Sequence, residues 1–141
     1  MKKRYAVIDT NVVVSAALKH SSIPGAIIDL AFNGQIIPVL NHEIESEYRN
    51  VLARPKFHLT KDIIEAIIDS FHETGFYIEA EGLDITLPDS KDIVFYEVVM
   101  EERKHEDAYL VTGNIKHFPI EPFIVTPRQM LDIVLNDVDE T

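Results

Sequence analysis

Short apolar runs alternate with amphipathic stretches along the whole chain, and no other feature of the sequence limits the fold as strongly. The runs are continuous and brief, which is typical of strands buried on both faces of a parallel sheet. Helices that alternate with such strands pack against the sheet as crossover connections. Strands are predicted at residues 5–8, 36–40, 76–78, 109–111 and 123–125.

The amphipathic stretches predict the helices, because their apolar side chains recur at helical spacing. The predicted helix 92–104 is apolar on nearly every side from Ile93 to Met100, so it is expected to be central and buried. Pro127 suits the first turn of a closing helix. Helices are predicted at residues 27–31, 44–52, 63–71, 92–104 and from Pro127 onward. We therefore expect a three-layer α/β fold, with a central, mostly parallel sheet of about five short strands and helices on both faces.

The chain of 141 residues suits one domain, which we place at residues 1–135, followed by a short tail at 136–141. It contains no cysteine, so disulfides, thiolate metal sites and cysteine nucleophiles are excluded. The apolar run after Lys2, Lys3 and Arg4 is too short for a signal peptide, and no segment is apolar enough to span a membrane. We expect a soluble cytoplasmic protein.

The net charge of −11 argues against a nucleic-acid partner, because contacts to phosphate need lysine and arginine. Carboxylates gathered around a divalent cation would reverse the local field. Such a cluster would explain part of the negative charge, but not all of it.

The first predicted strand ends in Asp9, Thr10 and Asn11. Ligands of open parallel sheets gather beyond the carboxyl ends of the strands, so these side chains are candidates for a site. All three residue types also cap helices, and a plain helix cap explains their position equally well.

Glu47 and Asp92 are further candidate acids. Glu47 lies within or beside the apolar stripe of its helix, where a carboxylate has to be paired, protonated or bound to a metal. A salt bridge to Arg54 is the simpler alternative. Asp92 begins the most apolar helix, and Asp89 precedes it at the spacing of a capping box. We assign the cap to Asp89 or Ser90 and the inward-facing role to Asp92, and the reverse assignment stays open.

Thr112 and Asn114 follow the fourth predicted strand, where a tight turn at Gly113 explains them equally well. Together with the acids, they could meet at one edge of the sheet. Such an oxygen-only donor set suits Mg²⁺ or Mn²⁺, and sites of this kind hydrolyse phosphodiesters by activating a bound water. Arg54 and Lys116 are candidates to bind substrate phosphate at the rim, although ordinary solvated charge is an equally good interpretation.

Three segments in combination resemble the PIN domain family. They are the first strand with Asp9-Thr10-Asn11-Val12 after it, the stretch 47–57 and the stretch 109–118. The resemblance runs from Tyr5 to about Leu131, and it is strongest to the branch described as toxins of toxin–antitoxin systems.

This resemblance implies which residues form the site. Asp9, Glu47 and Asp92 would occupy the metal-binding positions, and Asn114 would complete the catalytic set at a position that is often aspartate. Residues 87–92 depart from the usual family pattern, which keeps Asp89 open as the third acid. The supporting residues that would orient the carboxylates are Thr10, Asn11, Thr112 and Asp89.

The resemblance also implies a function, namely Mg²⁺- or Mn²⁺-dependent cleavage of RNA by an endoribonuclease. Such proteins are frequently homodimers with a small antitoxin partner that masks the site. A PIN module that has lost catalysis and binds only protein or RNA is one alternative, favoured by Asn114 and the acidic surface. A receiver-like, magnesium-binding signalling domain is another. It would need adjacent acids after the first strand and a lysine before the last proline, whereas Asp9 stands alone and Thr126 precedes Pro127.

Overall fold

The computed structural model describes residues 3–139, which contain a five-stranded sheet with the order β3-β2-β1-β4-β5. Every pair of neighbouring strands is parallel. The strands are β1 (Arg4–Ile8), β2 (Ile36–Leu40), β3 (Phe76–Tyr77), β4 (Ala108–Val111) and β5 (Ile124–Val125). The predicted strands are confirmed to within one residue at each end. The strand order differs from the 2-1-3-4-5 order of receiver domains.

Six helices surround the sheet in the described part of the chain. They are α1 (Thr10–Leu18), α2 (Ile23–Phe32), α3 (His42–Leu52), α4 (Lys61–Thr74), α5 (Ile93–Glu102) and α6 (Pro127–Asp139). Short 3₁₀ helices lie at Pro55–Phe57, Ser90–Asp92 and Ile115–His117.

The central strand shows that both faces of the sheet are covered. Ala6, Val7 and Ile8 are consecutive in β1 and all are fully buried. Because successive side chains of a strand point to opposite faces, this burial requires packing on each side. The expected α/β fold with helices around a single sheet is therefore confirmed. Helix α5 packs against β1, β2 and β4, as expected for the most apolar helix.

Helix α1 was not predicted, and its sequence explains why. It contains the run Val12, Val13 and Val14, and β-branched residues have a low helix propensity. All three valines are buried, so the helix has no polar face of the kind that reveals an amphipathic helix. Tertiary packing stabilises a helix here that local propensity does not favour.

The closing helix extends further than predicted. Helix α6 ends at Asp139, so its backbone continues through most of the segment 136–141 that we assigned to a tail. Met130 and Val134 are buried one helical turn apart, which fixes the helix against the rest of the protein. The last two residues of the predicted tail lie outside the described residues.

Candidate active site

The carboxyl ends of the two central strands lie side by side. Asp9 follows β1 and Thr112 follows β4, and the Asp9 amide donates to the Val111 carbonyl at 2.9 Å. A cleft of about 510 Å³ opens beyond these ends. Its lining includes the four predicted catalytic residues and three of the supporting ones, namely Asp9, Glu47, Asp92 and Asn114, with Thr10, Asn11 and Asp89. The structure thus brings together the acids that were predicted from separate elements.

Asp9 is buried, with 5% of its surface exposed, and its carboxylate has three hydrogen-bond donors. The Thr10 amide and the Thr112 hydroxyl donate at 2.8 Å each, and the Asn11 side-chain amide donates at 3.3 Å. Asp9 is also the N-cap of α1, so the alternative interpretation as a helix cap is correct as well. The same contacts that begin the helix hold the carboxylate in one orientation.

The charge of Asp9 is costly in this position. Burial raises its pKa to about 6, against the hydrogen bond from Thr112, and the negative charge of Asp92 adds to the rise. A carboxylate that is fixed in place but energetically unfavourable as an anion is suited to binding a cation. Asp9 is therefore the centre of the candidate site.

Thr112 and Asn11 connect the ends of β1 and β4. The Thr112 hydroxyl accepts a hydrogen bond from the backbone N–H of Asn114 at 2.9 Å and donates its own proton to the Asp9 carboxylate. The Asn11 side-chain oxygen accepts from the Gly113 amide at 3.0 Å, while its amide group donates to Asp9. A Cβ at Gly113 would lie 3.3 Å from the Asn11 oxygen, which is a close contact. The turn after β4 thereby fixes the orientation of the Asp9 carboxylate.

Asp92 faces the cleft beside Asp9, at the junction between the 3₁₀ helix and α5. Its carboxylate lies 3.2 Å from the Nδ1 atom of His117. Burial and the negative charge of Asp89 raise the pKa of Asp92, His117 opposes this rise, and Glu47 adds to it. Asp89 is exposed and accepts a hydrogen bond from the Lys91 amide at 3.0 Å as the cap of the 3₁₀ helix. This geometry agrees with Asp89 as cap and Asp92 as the inward-facing acid.

Glu47 and Arg54 both line the cleft, but they form no ion pair with each other within residues 3–139. Glu47 is partly buried on α3, beside the stripe of buried residues that includes Ile44 and Tyr48. Arg54 is exposed and follows the end of α3. The simple salt-bridge alternative is therefore wrong in this structure. Glu47 keeps a carboxylate free for the cleft.

The sequence did not assign a site role to Lys91 or Tyr48, and it offered His117 only as a possible substrate contact beside the more common interpretation as a surface residue. Lys91 and His117 line the cleft, and Tyr48 lies behind it, fully buried, where its hydroxyl donates to the Ile8 carbonyl. Lys91 had no distinguishing signal, since it is an ordinary exposed lysine. The helical spacing of Tyr48 predicted only a core residue. Lys116, which was predicted for substrate binding, instead lines a smaller neighbouring cleft of about 310 Å³ with Asn114 and His117.

The donor set limits the kind of metal that the cleft can hold. Among residues 3–139, no three histidine, aspartate or glutamate side chains lie close enough together to enclose an ion. Mg²⁺ does not need such a cage, because it commonly binds one or two carboxylates and keeps several waters. Thr10 lines the same cleft, and its hydroxyl is buried without a hydrogen-bond partner within the described residues. The residues fit a partly hydrated hard cation, and they do not fit an ion enclosed by three protein carboxylates.

The family of the chain was identified by comparison with known protein families. Residues 5–116 match the PIN domain family, which is most of the chain and includes every acid of the cleft. The chain belongs to the PIN domain family. The match begins where the sequence resemblance begins, at Tyr5, but it ends before the closing segment that we expected it to include. PIN domains are generally nucleases, so the acidic cleft belongs to a nuclease-type module.

Other comparisons add little to the PIN assignment. The chain is 34% identical over 82 residues to a methylthioribose-1-phosphate isomerase of Trichoplax adhaerens, which covers 52% of this chain and 20% of that protein. The PIN domain chain thus spans about a fifth of the length of that relative. No solved structure matches the chain. No helix in the described residues is both long and apolar enough to cross a membrane.

Proposed function

We propose that this PIN domain is a divalent-metal-dependent endoribonuclease that hydrolyses RNA phosphodiester bonds. The observation that supports this most strongly is the buried Asp9 carboxylate, oriented by three donors and placed next to Asp92 in an open cleft. Such an arrangement costs folding energy and has no structural purpose that a neutral side chain could not serve. A bound cation would offset the cost of burying this carboxylate, which explains why an acid lies at this position.

In this proposal Asp9 and Asp92 would hold Mg²⁺ or Mn²⁺, and Glu47, which lines the same cleft, would contribute to the site through a water. A bound ion of this kind lowers the pKa of a water and neutralises charge on the phosphate. Thr112, Asn11 and the backbone amide of Thr10 keep the Asp9 carboxylate in its orientation.

Two basic side chains line the same cleft and are placed to bind the substrate. Arg54 lies after α3, and Lys91 lies in the 3₁₀ helix between Asp89 and Asp92. We assign them to the phosphates on either side of the cleaved bond, since contacts to phosphate position a nucleic acid without reading its sequence. They answer in part the objection raised by the net charge of −11. Lys116 in the neighbouring cleft extends this path.

The test is cleavage of a mixed-sequence single-stranded RNA by the full chain, with Mn²⁺ or with EDTA. We expect metal-dependent cutting that is lost in Asp9→Asn and kept in Asp69→Asn, an exposed aspartate on α4 that undergoes the same chemical change. Equal cutting by Asp9→Asn would contradict the proposal. Cutting that persists in EDTA would contradict the metal dependence alone.

A PIN module that binds RNA or protein without cutting is the second candidate. It is favoured by Asn114, an amide at a position often occupied by an acid, and by the absence of a three-carboxylate cage among residues 3–139. RNA binding without cleavage in the wild type would favour it. A gain of cleavage in Asn114→Asp would then identify the missing carboxylate as the cause.

We also propose the biological role that the sequence resemblance implies, that of a toxin in a toxin–antitoxin pair, with a homodimer as the active form. A small antitoxin would mask the acidic cleft. Growth arrest on expression of the wild type, with normal growth on expression of Asp9→Asn, would support this role. Normal growth with a wild-type protein that cleaves RNA in solution would argue against toxicity and leave the nuclease assignment intact.

A further inference from the structure

A second concave surface, which we name the amino-end groove, lies at the opposite end of the sheet from the acidic cleft. Its volume is about 580 Å³, within the roughly 300–1,000 Å³ that is usual for ligand pockets. Tyr5, Ile37 and Phe76 form an apolar floor, and each is the first or second residue of its strand. Phe76 is 48% exposed. A large aromatic side chain thus faces solvent inside a groove.

The rim of the amino-end groove is strongly acidic. Glu79 lies on one side, and Glu101, Glu102 and Glu106 lie at the end of α5 on the other. Neither lysine nor arginine of the described residues lines it, and its basic group is His105. One rim acid is already paired, since Lys104 contacts Glu101 at 3.0 Å, and Lys104 also lies 4.0 Å from Glu81. The groove therefore combines an apolar floor with an excess of negative charge.

Glu102 distinguishes this groove from an ordinary acidic surface. The residue is only 2% exposed, yet within the described chain its carboxylate makes neither a hydrogen bond nor an ion pair. Burial raises the pKa of Glu102, and the proximity of His105 opposes this rise. Glu102 lines the groove and its carboxylate has no partner among the described residues, so a cation that enters the groove can pair with it.

We propose that the amino-end groove binds a basic, apolar-flanked segment of a partner protein, with an arginine or lysine paired to Glu102 and an aliphatic side chain packed on Phe76. The charge excess selects a cationic ligand, and the apolar floor selects a polypeptide that carries hydrophobic side chains beside its basic ones. Nucleic acids and anionic membranes are repelled by Glu79, Glu102 and Glu106 of the rim, since neither lysine nor arginine of the described residues lines the groove. A second copy of this chain is disfavoured at this surface, because a groove-to-groove contact would bring two acidic rims together.

This proposal does not depend on the nuclease assignment, since the groove and the acidic cleft share no lining residue. The probe is a short fluorescent peptide that alternates arginine and leucine, titrated against the full-length protein by fluorescence anisotropy. Two control peptides separate the contributions, one with serine in place of leucine and one with glutamate in place of arginine. We expect the arginine–leucine peptide to bind at least about tenfold more tightly than either control.

The variants are Glu102→Gln, which keeps the shape of the side chain, and Phe76→Ser, which removes the aromatic floor. Each should weaken binding of the arginine–leucine peptide about tenfold. The matched controls are Glu43→Gln, an exposed acid in the first turn of α3, and Ile120→Ser, an apolar residue that is 99% exposed outside the groove. Both controls should bind as the wild type does. If Glu102→Gln does not fold, Glu106→Gln tests in its place whether the negative charge of the rim contributes to peptide binding.

Several outcomes would overturn the proposal. Equal binding to Glu102→Gln, Glu106→Gln and the wild type would show that the rim does not contribute. Equal binding of the arginine–serine peptide would indicate attraction by charge alone. Tighter binding of spermine than of the peptide would assign the groove to a polyamine, and conversion of a wild-type dimer to a monomer by Phe76→Ser would assign it to a second copy of the chain.

Discussion

The two ends of the sheet each contain a buried carboxylate, but the surroundings of the two acids differ. Asp9, at the carboxyl end, is 5% exposed and accepts three hydrogen bonds. Glu102, at the amino end, is 2% exposed and accepts none at its carboxylate within the described residues. Burial raises the pKa of both acids.

This difference in hydrogen bonding indicates a different function for each acid. Hydrogen bonds from Thr10, Asn11 and Thr112 fix Asp9 before any ligand arrives, as a site for chemistry requires, because small displacements of reacting groups are costly in rate. The lack of such bonds leaves Glu102 to obtain its partner from outside, as a recognition surface does. Lys91 and Arg54 accompany the acids of the first end, whereas the second end has an aromatic floor.

The largest expected effect on stability is at Asp9. Its pKa is raised from 3.8 to about 6, so its contribution to stability is fully present below about pH 4 and is lost as the pH rises through about 6. At about 1.4 kcal/mol per pH unit, the charged form costs the folded state roughly 3 kcal/mol at neutral pH without metal. Asp9→Asn removes this cost. We expect it to be more stable than the wild type at pH 7 by up to about that amount, and equally stable near pH 4.

Urea unfolding in EDTA, repeated across this pH range, measures the difference between the two proteins. Addition of Mn²⁺ at pH 7 should then stabilise the wild type and leave Asp9→Asn unchanged. Identical pH profiles for the two proteins would show that Asp9 is not strained, and the contrast between the two ends of the sheet would disappear.

The next largest effect is expected at Thr112. Thr112→Val keeps the shape of the side chain but removes the donor to Asp9 and the acceptor for the Asn114 amide. The hydrogen bond from Thr112 lowers the pKa of Asp9, so its loss should raise that pKa further. We expect cleavage to fall about tenfold or more at pH 7, with partial recovery at higher pH. A pH–rate profile measures this, and a uniform loss at every pH would indicate a general structural defect instead.

Tyr48→Phe tests the support behind the cleft. The change keeps the ring that packs on Phe71 at 5.0 Å and removes the hydrogen bond to the carbonyl of Ile8, the residue before Asp9. We expect a loss of about 1–2 kcal/mol in the free energy of unfolding. Chemical denaturation measures it. No loss would mean that the placement of Asp9 does not depend on this contact.

The smallest effect is expected at Glu102. Burial raises the pKa of Glu102, so its charged form destabilises the folded state. The substitution Glu102→Gln should therefore stabilise the protein at neutral pH, and this gain should vanish as the pH falls below the usual pKa range of glutamate. RNA cleavage should be unchanged, because Glu102 lies at the far end of the sheet. A thermal melt at two pH values and one cleavage assay test both statements. Loss of RNA cleavage in Glu102→Gln would show that the amino-end groove and the acidic cleft depend on each other.

Much of this site was predictable from the sequence because parallel strands bring their carboxyl ends together. Asp9 and Thr112 directly follow strands, and Asn114 lies three residues beyond the end of β4, so their meeting at one edge was foreseeable. Helix α1 was not foreseeable, since its valines do not favour a helix and leave no amphipathic pattern.

Contacts between residues far apart in the sequence were also missed. Tyr48 reaches Ile8 across a separation of 40 residues, and His117 reaches Asp92 across 25. No local pattern encodes such pairings. The distinction between Lys91, which lines the cleft, and Lys116, which lines its neighbour, depends on the path of two 3₁₀ helices that the sequence does not reveal.

The most direct test of the account compares RNA cleavage by the wild type, Asp9→Asn and Glu102→Gln in one Mn²⁺-containing assay. The account predicts that Asp9→Asn loses at least about a hundredfold in rate, as expected when a metal-binding carboxylate is removed, while Glu102→Gln cleaves as the wild type does. Cleavage by Asp9→Asn at the wild-type rate would contradict the central claim that the fixed carboxylate at the carboxyl end of the sheet is the catalytic one.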